Sequence, residues 1–321
     1  MTLNIESIKK KITIVIPIYN ESEALPLFFT SLIETINLIN DYTFEILIID
    51  DGSTDDSLNY LKEKIKEDVR IVVYELSRNF GKEAALTAGF DNVKADAFIP
   101  MDVDLQDPPE LINEMISIWS TGVSLVLARR ISRKNDTLFK RLTADIFYYI
   151  YNKFSSISIP RNVGDYRLMD KSVVDSIKLL PEKERFMKGI FAWVGYDFHI
   201  IDYERPKRSS GETKFEALKL LKLAKDGLFS FSVAPLKISS FLGYIGAIAS
   251  FIYGAFIIVR TIYYGADLEG YASLITVILF LGSIHLIVIG ILGEYIGRIF
   301  IESKNRPIYL IKKFIENEKQ K

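Results

Sequence analysis

The chain has 321 residues, of which 49% are hydrophobic and 25% charged, and its formal net charge is −1. This length suits one sizeable domain with an appendage, and the balanced charge argues against a nucleic-acid-binding protein. The absence of cysteine excludes disulfides, thiolate metal sites and a cysteine nucleophile. The two histidines, His199 and His285, lie far apart, so a histidine-rich zinc site is not expected.

The first 130 residues alternate between two sequence patterns. Short runs rich in β-branched residues are typical of buried strands, and the longer stretches between them have helical periodicity. This alternation predicts βαβ units and a mostly parallel sheet, an α/β fold in which ligands bind beyond the carboxyl ends of the strands. The predicted strands are residues 12–18, 44–49, 69–76, 97–101 and 124–128, and the clearest helices are residues 24–39 and 109–119.

A polar cluster follows each of the first four predicted strands. The clusters read YNESE, DDGSTD, SRNFGK and DVDLQD. Because the carboxyl ends of parallel strands lie at one edge of a sheet, we expect the four clusters to form a single site. Independent solvated loops are the alternative, but they explain one or two such clusters better than four.

The fourth cluster concentrates negative charge. Asp102, Asp104 and Gln106 alternate along a segment that we expect to be extended, which would place their side chains on one face. The sequence contains neither the glycine-rich dinucleotide fingerprint nor a P-loop motif, so phosphates bound here would need a divalent cation. Carboxylate and carboxamide oxygens suit a hard cation, and the three residues are therefore predicted metal ligands. A solvated turn is the alternative.

Two uncharged segments follow in the last third of the chain. Residues 238–259 and 270–293 contain no Asp, Glu, Lys or Arg, and their one histidine is His285. Each is close to the ~20 residues that an α-helix needs to cross a bilayer, so we predict a transmembrane hairpin. Residues 205–237 carry eight Lys and Arg and residues 298–321 carry seven, whereas the connector carries one. The positive-inside rule then places both flanks in the cytoplasm. Two core helices of a soluble protein are the alternative.

The segment before the hairpin has the pattern of an amphipathic helix. Lysines recur at helical spacing beside leucines, which favours a helix lying in the cytoplasmic membrane interface over residues 214–235. The loop before it would then lie at headgroup depth. A helix packed on the catalytic domain is the alternative. The alternating residues are Leu218, Lys219, Leu221, Lys222, Lys225 and Leu228.

Several motifs together resemble a known family over nearly the whole chain. They are IPIYNE, DDGSTD, SRNFGKEAALTAG, MDVDLQDPPE, GDYRLMD and RSSGETKF, followed by FSVAPL and the two predicted spans. The sequence is similar to the inverting polyprenyl-phosphate glycosyltransferases, especially the bactoprenol glucosyltransferases of O-antigen glucosylation, with dolichyl-phosphate mannose synthases as relatives. The resemblance implies a GT-A fold, a sugar-nucleotide donor, Mg²⁺ or Mn²⁺, and an undecaprenyl-phosphate acceptor.

The resemblance also implies roles for individual residues. The nucleoside pocket would contain Pro17, Tyr19, Glu21, Asp50 and Asp51. Further donor-binding groups would be Lys82, Asp102, Arg130, Arg133 and Ser210. The metal ligands would again be Asp102, Asp104 and Gln106, and the catalytic residues Asp104, Asp165, Arg208 and Lys214. Surface ion pairs and a helix-capping turn are the alternatives for the basic residues, and Arg129 is an alternative phosphate contact to its neighbours.

The chemistry of the acceptor limits what the catalytic aspartate has to do. A phosphate monoester has a second pKa near ~6 and is largely dianionic at neutral pH, so it needs little help from a general base. We therefore predict that Asp165 positions the acceptor or stabilises the cationic sugar, rather than removing a proton. Attack from the face opposite the leaving group would invert the anomeric configuration.

These expectations combine into one description of the molecule. A cytoplasmic GT-A domain (1–213) precedes the interfacial helix (214–235), the hairpin (236–297, with spans at about 238–259 and 271–293) and a C-terminal tail (298–321) that is frayed after Lys312. The expected protein is a self-associating enzyme of the bacterial cytoplasmic membrane that transfers one glucose from UDP-glucose to undecaprenyl phosphate. The alternatives are another donor (GDP-mannose, UDP-GlcNAc or UDP-galactose), a metal-dependent nucleotidyl- or phosphotransferase, and a non-catalytic membrane scaffold.

Overall fold

A computed structural model describes residues 9–131, 160, 162–204, 233–265 and 270–317. Within these residues, strands and helices alternate through the first half of the chain, and two long helices precede the last strand. In chain order the elements are β1 Lys11–Ile18, α1 Leu25–Asn37, β2 Thr43–Asp50, α2 Ser57–Glu67, β3 Ile71–Leu76, α3 Lys82–Asp91, β4 Ala97–Pro100, α4 Leu111–Ser120, β5 Leu125–Arg130, β6 Val163–Asp170, α5 Lys171–Lys178, α6 Met187–Trp193, β7 Phe198–Tyr203, α7 Ala234–Tyr264, α8 Tyr271–Ser303 and β8 Ile311–Ile315.

The eight strands form one mixed sheet in the order β7-β5-β6-β4-β1-β2-β3-β8. The first four strands are parallel to one another, as the alternating pattern predicts, and β5 and β7 are also a parallel pair. The other three pairings, β4 with β6, β5 with β6 and β3 with β8, are antiparallel. The carboxyl ends of β1, β2, β3 and β4 therefore lie along one edge, where the polar clusters begin.

The core lies on both faces of the sheet. Ile14 and Ile16 of β1 face a cluster that includes residues of α1 and α4, whereas Val15 faces a second cluster that includes residues of α3. A Cβ added at Gly89 would lie 2.3 Å from Val15 Cγ1, so the absence of a side chain there lets α3 pack closely against the central strand. This close packing holds α3, which begins at Lys82 of the candidate site, against the centre of the sheet.

The two helices α7 and α8 have apolar side chains that no described part of the chain covers. Residues Pro235–Tyr264 and Ser273–Ser303 are long and apolar enough to cross a membrane, and Phe251 and Leu286 are 80% and 73% exposed. Because water does not favour so much exposed hydrocarbon, these helices indicate membrane association. The predicted spans fall inside them. Most of the predicted interfacial helix, and the boundary predicted at residue 213, lie outside the described residues.

The end of the chain differs from the expected frayed tail. β8 pairs antiparallel with β3, the rings of Tyr74 and Phe314 lie 4.9 Å apart, and Lys312 forms an ion pair with Glu75. Asn317 Nδ2 also donates to the Ile65 carbonyl oxygen at 2.6 Å. The prediction of fraying after Lys312 is wrong for residues 313–317, because β8 pairs with β3 and Lys312 meets Glu75 there; residues 318–321 lie outside the described residues.

Candidate active site

A cleft of about 760 Å³ opens at the carboxyl ends of the parallel strands. All four polar clusters contribute to its wall: the first through Tyr19 and Glu21, the second through Asp51, the third through Lys82 and the fourth through Asp102. The expectation that the clusters gather at one site is therefore confirmed. Further residues of the wall are Pro17, Asn20, Ser22, Asp55, Asn79, Gly81 and Asp104.

The loops after β1 and β2 hold each other in place. Asn20 has a left-handed backbone with φ 55°, its N–H donates to Ser53 Oγ at 3.0 Å, and its Oδ1 accepts from Thr54 N at 2.8 Å. Ser22 N donates in turn to Asp55 Oδ2 at 3.0 Å. Such reciprocal side-chain to backbone bonds fix both loops before any ligand binds. The predicted nucleoside pocket thus has a preformed wall, with half-exposed Tyr19 at its surface.

Asp50, the last residue of β2, and Asp51, which follows it, are buried and differ in their partners. Asp51 Oδ1 accepts from Phe80 N at 2.7 Å and its Oδ2 from Gly81 N at 2.8 Å, so this carboxylate holds the loop that begins α3. Asp50 Oδ1 accepts from Ser53 N at 3.0 Å, whereas its Oδ2 is buried with no hydrogen-bond partner in the described part of the chain. Burial raises the pKa of both carboxyl groups. Asp51 therefore organises the cleft wall, and Asp50 keeps an oxygen that can accept a further hydrogen bond.

Lys82, the first residue of α3, joins two carboxylates across the cleft. Its Nζ lies 2.7 Å from Asp102 Oδ1, 2.8 Å from Asp102 Oδ2 and 2.9 Å from Asp165 Oδ2. Burial alone would lower the pKa of Lys82, but the charges of Asp165 and Asp102 outweigh burial and raise it. Lys82 is therefore an ammonium ion that connects the acidic cluster after β4 with the aspartate on β6.

Asp165 lies in a strongly cationic environment. Burial would raise the pKa of its carboxyl group, but the charges of Lys82, Lys188 and Arg167, together with the hydrogen bond from Lys82, hold the pKa at about 2. Arg167 Nε also donates to the Asp165 carbonyl oxygen at 3.3 Å. A carboxylate that stays ionised at every physiological pH is a weak proton acceptor. This environment suits stabilisation of positive charge better than general-base catalysis.

The predicted metal-binding segment is not extended. Residues 103–107 form turns and bends, Leu105 has a left-handed backbone with φ 54°, and Gln106 N donates to Asp104 Oδ1 at 3.1 Å. The expectation of three side chains alternating on one extended face is therefore wrong. The chain turns because Asp107 is buried, where its Oδ1 accepts from Tyr203 OH at 3.0 Å.

The acidic residues on the cleft wall are still suited to a divalent cation. Asp102 and Asp104 both line the cleft, whereas the part of the chain that the structure describes has no group of three or more His, Cys, Asp or Glu side chains placed for a metal. Mg²⁺ commonly takes one or two carboxylates and completes its coordination with water and substrate phosphates. Two carboxylates facing an open cleft match that pattern, and Gln106 does not line the cleft with them.

The predicted phosphate-binding arginines are only partly described. Arg130 Nε donates to Tyr203 OH at 3.2 Å, and its Nη2 lies 3.8 Å from Asp107 Oδ1. Arg129 instead makes a bidentate contact with Asp202 at 2.6 and 2.8 Å on the exposed side of β5, which disfavours it as the phosphate contact. The other predicted basic and polar residues, Arg133, Arg208, Ser210 and Lys214, lie outside the described residues.

Some residues of the site were not predicted from the sequence. Glu83, beside Lys82, accepts from Met187 N at 3.3 Å, and burial and the nearby Asp165 charge raise its pKa to about 7. Burial and the charge of Asp102 raise the pKa of Asp107 to about 6. Asp107 lies in the acidic cluster and Glu83 in the motif SRNFGKEAALTAG, so the sequence offered a reason to consider both as site residues. Lys188 lies in none of the motifs, and nothing in the sequence pointed to it.

Comparison with known proteins gives consistent matches. The model described as glycosyl transferase family 2 matches residues 13–178, and the model described as GtrB C-terminal hairpin matches residues 234–299. The bactoprenol glucosyl transferase of Shigella phage SfV is 48% identical over 97% of this chain and 100% of its own length. A prophage bactoprenol glucosyl transferase homolog of Escherichia coli K12 is 48% identical over 94% of this chain and 99% of its own.

One solved structure that matches the chain is glucosyl-3-phosphoglycerate synthase from Mycobacterium tuberculosis, in complex with Mn²⁺, UDP-glucose and phosphoglyceric acid. It has a TM-score of 0.46 and 14% identity, over 68% of this chain and 78% of that one. The match of the family model to the strands around the cleft confirms the GT-A fold that the motifs imply. The relationship to bactoprenol glucosyltransferases expected from the motifs is confirmed as well.

Proposed function

This chain belongs to glycosyl transferase family 2, and we propose on that basis that it is an inverting enzyme that transfers one glucose from UDP-glucose to bactoprenol phosphate. The observation that carries the proposal is likeness over the full length. Relatives named bactoprenol glucosyl transferase match both the domain that contains the cleft and the apolar hairpin, at 48% identity. A soluble acceptor would not require the hairpin, whereas a polyprenyl phosphate lies in the membrane.

The donor is proposed to bind along the loops after β1 and β2. Tyr19 lines this part of the cleft and can cover a nucleobase, whereas Asp50, expected in the nucleoside pocket, is buried and does not line the cleft. Asp102 and Asp104 would hold the divalent cation beside the diphosphate. When bound, Mg²⁺ or Mn²⁺ would offset the negative charge that develops on the departing nucleoside diphosphate. Lys82 brings a fixed positive charge to the same part of the cleft.

The acceptor is proposed to approach from the side of β6. Breaking the bond to the anomeric carbon gives the sugar oxocarbenium character, and the ionised Asp165 can stabilise that charge. A dianionic acceptor phosphate needs cationic partners more than a base, and a guanidinium group such as that of Arg130 can bind phosphate with two hydrogen bonds. The low pKa of Asp165 supports a positioning and electrostatic role for it.

The hairpin is proposed to place the cleft at the cytoplasmic face of a bacterial inner membrane. β7 precedes the two apolar helices and β8 follows them, and both strands belong to the same sheet. This connectivity supports a hairpin whose two ends lie on one side of the bilayer, and the basic flanks favour the cytoplasm. The apolar faces of α7 and α8 also fit self-association of the hairpins, which we propose as a homo-oligomer.

One assay tests the proposal. The purified protein is incubated with undecaprenyl phosphate, Mg²⁺ or Mn²⁺, and labelled UDP-glucose, UDP-GlcNAc, UDP-galactose or GDP-mannose. We expect label to enter the lipid fraction from UDP-glucose and to stop after exhaustive chelation, and we expect Asp104→Ala to lose at least about a hundredfold in rate. Release of pyrophosphate would instead indicate nucleotidyl transfer. Full activity of the Asp104→Ala protein would contradict the metal assignment.

A further inference from the structure

The C-terminal end of α8, the second apolar helix, forms hydrogen bonds and an ion pair with the loop between α5 and α6 of the catalytic domain. Glu302 Oε1 accepts from two consecutive backbone N–H groups, those of Lys183 at 2.8 Å and Glu184 at 3.2 Å. Arg298, one turn earlier on α8, lies with its Nη1 2.6 Å from Glu184 Oε2, and its side chain is 14% exposed. We call these four residues the clasp. Charge-assisted bonds of this kind, partly shielded from water, resist exchange with solvent.

The loop held by the clasp leads directly into the candidate site. It enters α6, whose first backbone N–H, that of Met187, donates to Glu83 Oε2 at 3.3 Å. Glu83 follows Lys82 at the start of α3. The segment between Lys183 and Met187 is therefore fixed at one end by a carboxylate from the membrane hairpin and at the other by a carboxylate from the helix that begins in the cleft.

The helix α6 also borders the strand that carries Asp165. The Arg167 guanidinium lies 3.9 Å from the ring centroid of Phe191 on α6, and it donates to the carbonyl oxygens of Gly164 at 2.6 Å and Asp165 at 3.3 Å. Lys188, on the first turn of α6, acts on the Asp165 carboxylate by its charge. A displacement of α6 would change the surroundings of Asp165 from two directions.

We propose that the clasp positions residues of the candidate site. Through it, the membrane hairpin fixes the loop before α6 and therefore α6 itself. The fixed α6 in turn holds Asp165 and Lys188 in the arrangement needed at the acceptor side of the cleft. The inference rests on the proposed function, because it assigns the acceptor to the side of β6. It makes Arg298 and Glu302 positioning residues that lie on the hairpin itself. A misplacement of catalytic groups by about 1 Å can cost on the order of a hundredfold in rate, so a modest loosening of the loop is measurable.

The test uses the full-length protein in lipid nanodiscs. Glu302→Ala removes the acceptor of both loop N–H groups, whereas Glu302→Gln keeps a side-chain oxygen in the same place. Lys304→Met is the matched control, since the Lys304 ammonium lies over the Phe300 ring of its own helix, 4.1 Å from the centroid. For each protein we would measure kcat, the KM for the donor, and hydrogen exchange of the backbone amides in residues 181–193.

We expect Glu302→Ala to lower kcat by about tenfold with the donor KM unchanged, and to speed exchange at residues 183–187 by about tenfold. Glu302→Gln should recover most of the loss, and Lys304→Met should behave as the unmodified protein. Faster exchange with an unchanged kcat would overturn the inference, as would a lower kcat with no change in exchange. If the unmodified protein transfers no sugar to the lipid, the proposed function fails, and the exchange data then report on the clasp alone.

Discussion

At the residue scale, the site is organised around one cation and two anions. Asp102 follows strand β4 and Asp165 lies on β6, and their two carboxylates would repel each other if no positive charge lay between them. The ammonium group of Lys82, within 2.9 Å of both, removes that conflict. The structure thereby places one cation between the carboxylates of the proposed metal side and the proposed acceptor side of the cleft.

The role of Asp165 can be tested by its pH dependence. We expect Asp165→Asn to reduce kcat by about a hundredfold, and by the same factor at pH 6 and at pH 8.5, because the carboxylate is ionised throughout this range and acts by its charge. Steady-state transfer rates at the two pH values provide the measurement. Asp202→Asn, which changes an exposed ion pair with Arg129, serves as the control. Recovery of Asp165→Asn at pH 8.5 would favour a deprotonation role.

Glu83 should give the protein a pH-dependent stability. Its pKa is raised from the ordinary value of 4.5 to about 7, mainly by burial and then by the Asp165 charge. The folded protein therefore binds more protons than the unfolded chain between these values, so this group lowers stability as pH rises from about 4.5 to 7, and the loss persists above pH 7.

The Glu83→Gln protein should escape this loss. Its gain in stability over the unmodified protein should be greater at pH 8 than at pH 5, by on the order of 1 kcal/mol, and its melting temperature should rise accordingly. Thermal unfolding at both pH values measures it. Glu63→Gln, an exposed residue of α2, should show no such pH dependence. Equal effects of Glu83→Gln at the two pH values would contradict the assignment of the pKa.

The residues of the site could be predicted where their types are grouped in the sequence. The acids after β2 and β4 lie in dense polar clusters at predicted strand ends, and the structure brings both clusters to the cleft wall. The turn at Leu105 could not be predicted, since it depends on the burial of Asp107 against Tyr203, almost a hundred residues later. Lys188 was missed because a lone lysine on a short helix has no pattern; only the tertiary packing of α6 brings it near Asp165.

At the scale of elements, periodicity predicted the regular half of the fold. The strands expected at residues 12–18 and 44–49 correspond to β1 and β2 within one residue at either end. The strands that follow β5 in the chain were not predicted. β6 contains the charged residues Asp165 and Arg167, and β8 has two lysines among its five residues. Neither sequence therefore has the apolar pattern by which a strand is predicted. Both strands owe their conformation to the partner strand that they meet.

Removing β8 should destabilise the catalytic domain. A protein lacking residues 311–321 loses the Tyr74–Phe314 ring contact, the Lys312–Glu75 pair and the pairing along β3. We expect the melting temperature to fall by about 5 °C or more, since an aromatic pair alone contributes about 1 kcal/mol. Truncation of residues 318–321 is the matched control. Equal melting temperatures for the two truncated proteins would show that β8 does not stabilise the sheet.

At the scale of the whole molecule, the absence of cysteine makes the topology accessible to labelling. A Tyr264→Cys substitution places a thiol on a residue that is 86% exposed, at the end of α7 next to the connector. A Glu63→Cys substitution places one on the catalytic domain. In spheroplasts, a membrane-impermeant maleimide should label the first substituted protein directly and the second only after lysis. Direct labelling of both, or of Glu63→Cys alone, would contradict the proposed orientation.

The position of β8 after the hairpin has a consequence for biogenesis. In the proposed topology, strands β1 to β7 emerge from the ribosome first, and the outer edge of β3 stays unpaired until β8 is made, after α7 and α8. An open strand edge pairs readily with other chains. In this order, the sheet is completed by β8 only after the two apolar helices have been made. In that topology, a molecule whose hairpin fails to insert would keep an unpaired strand edge, which favours aggregation.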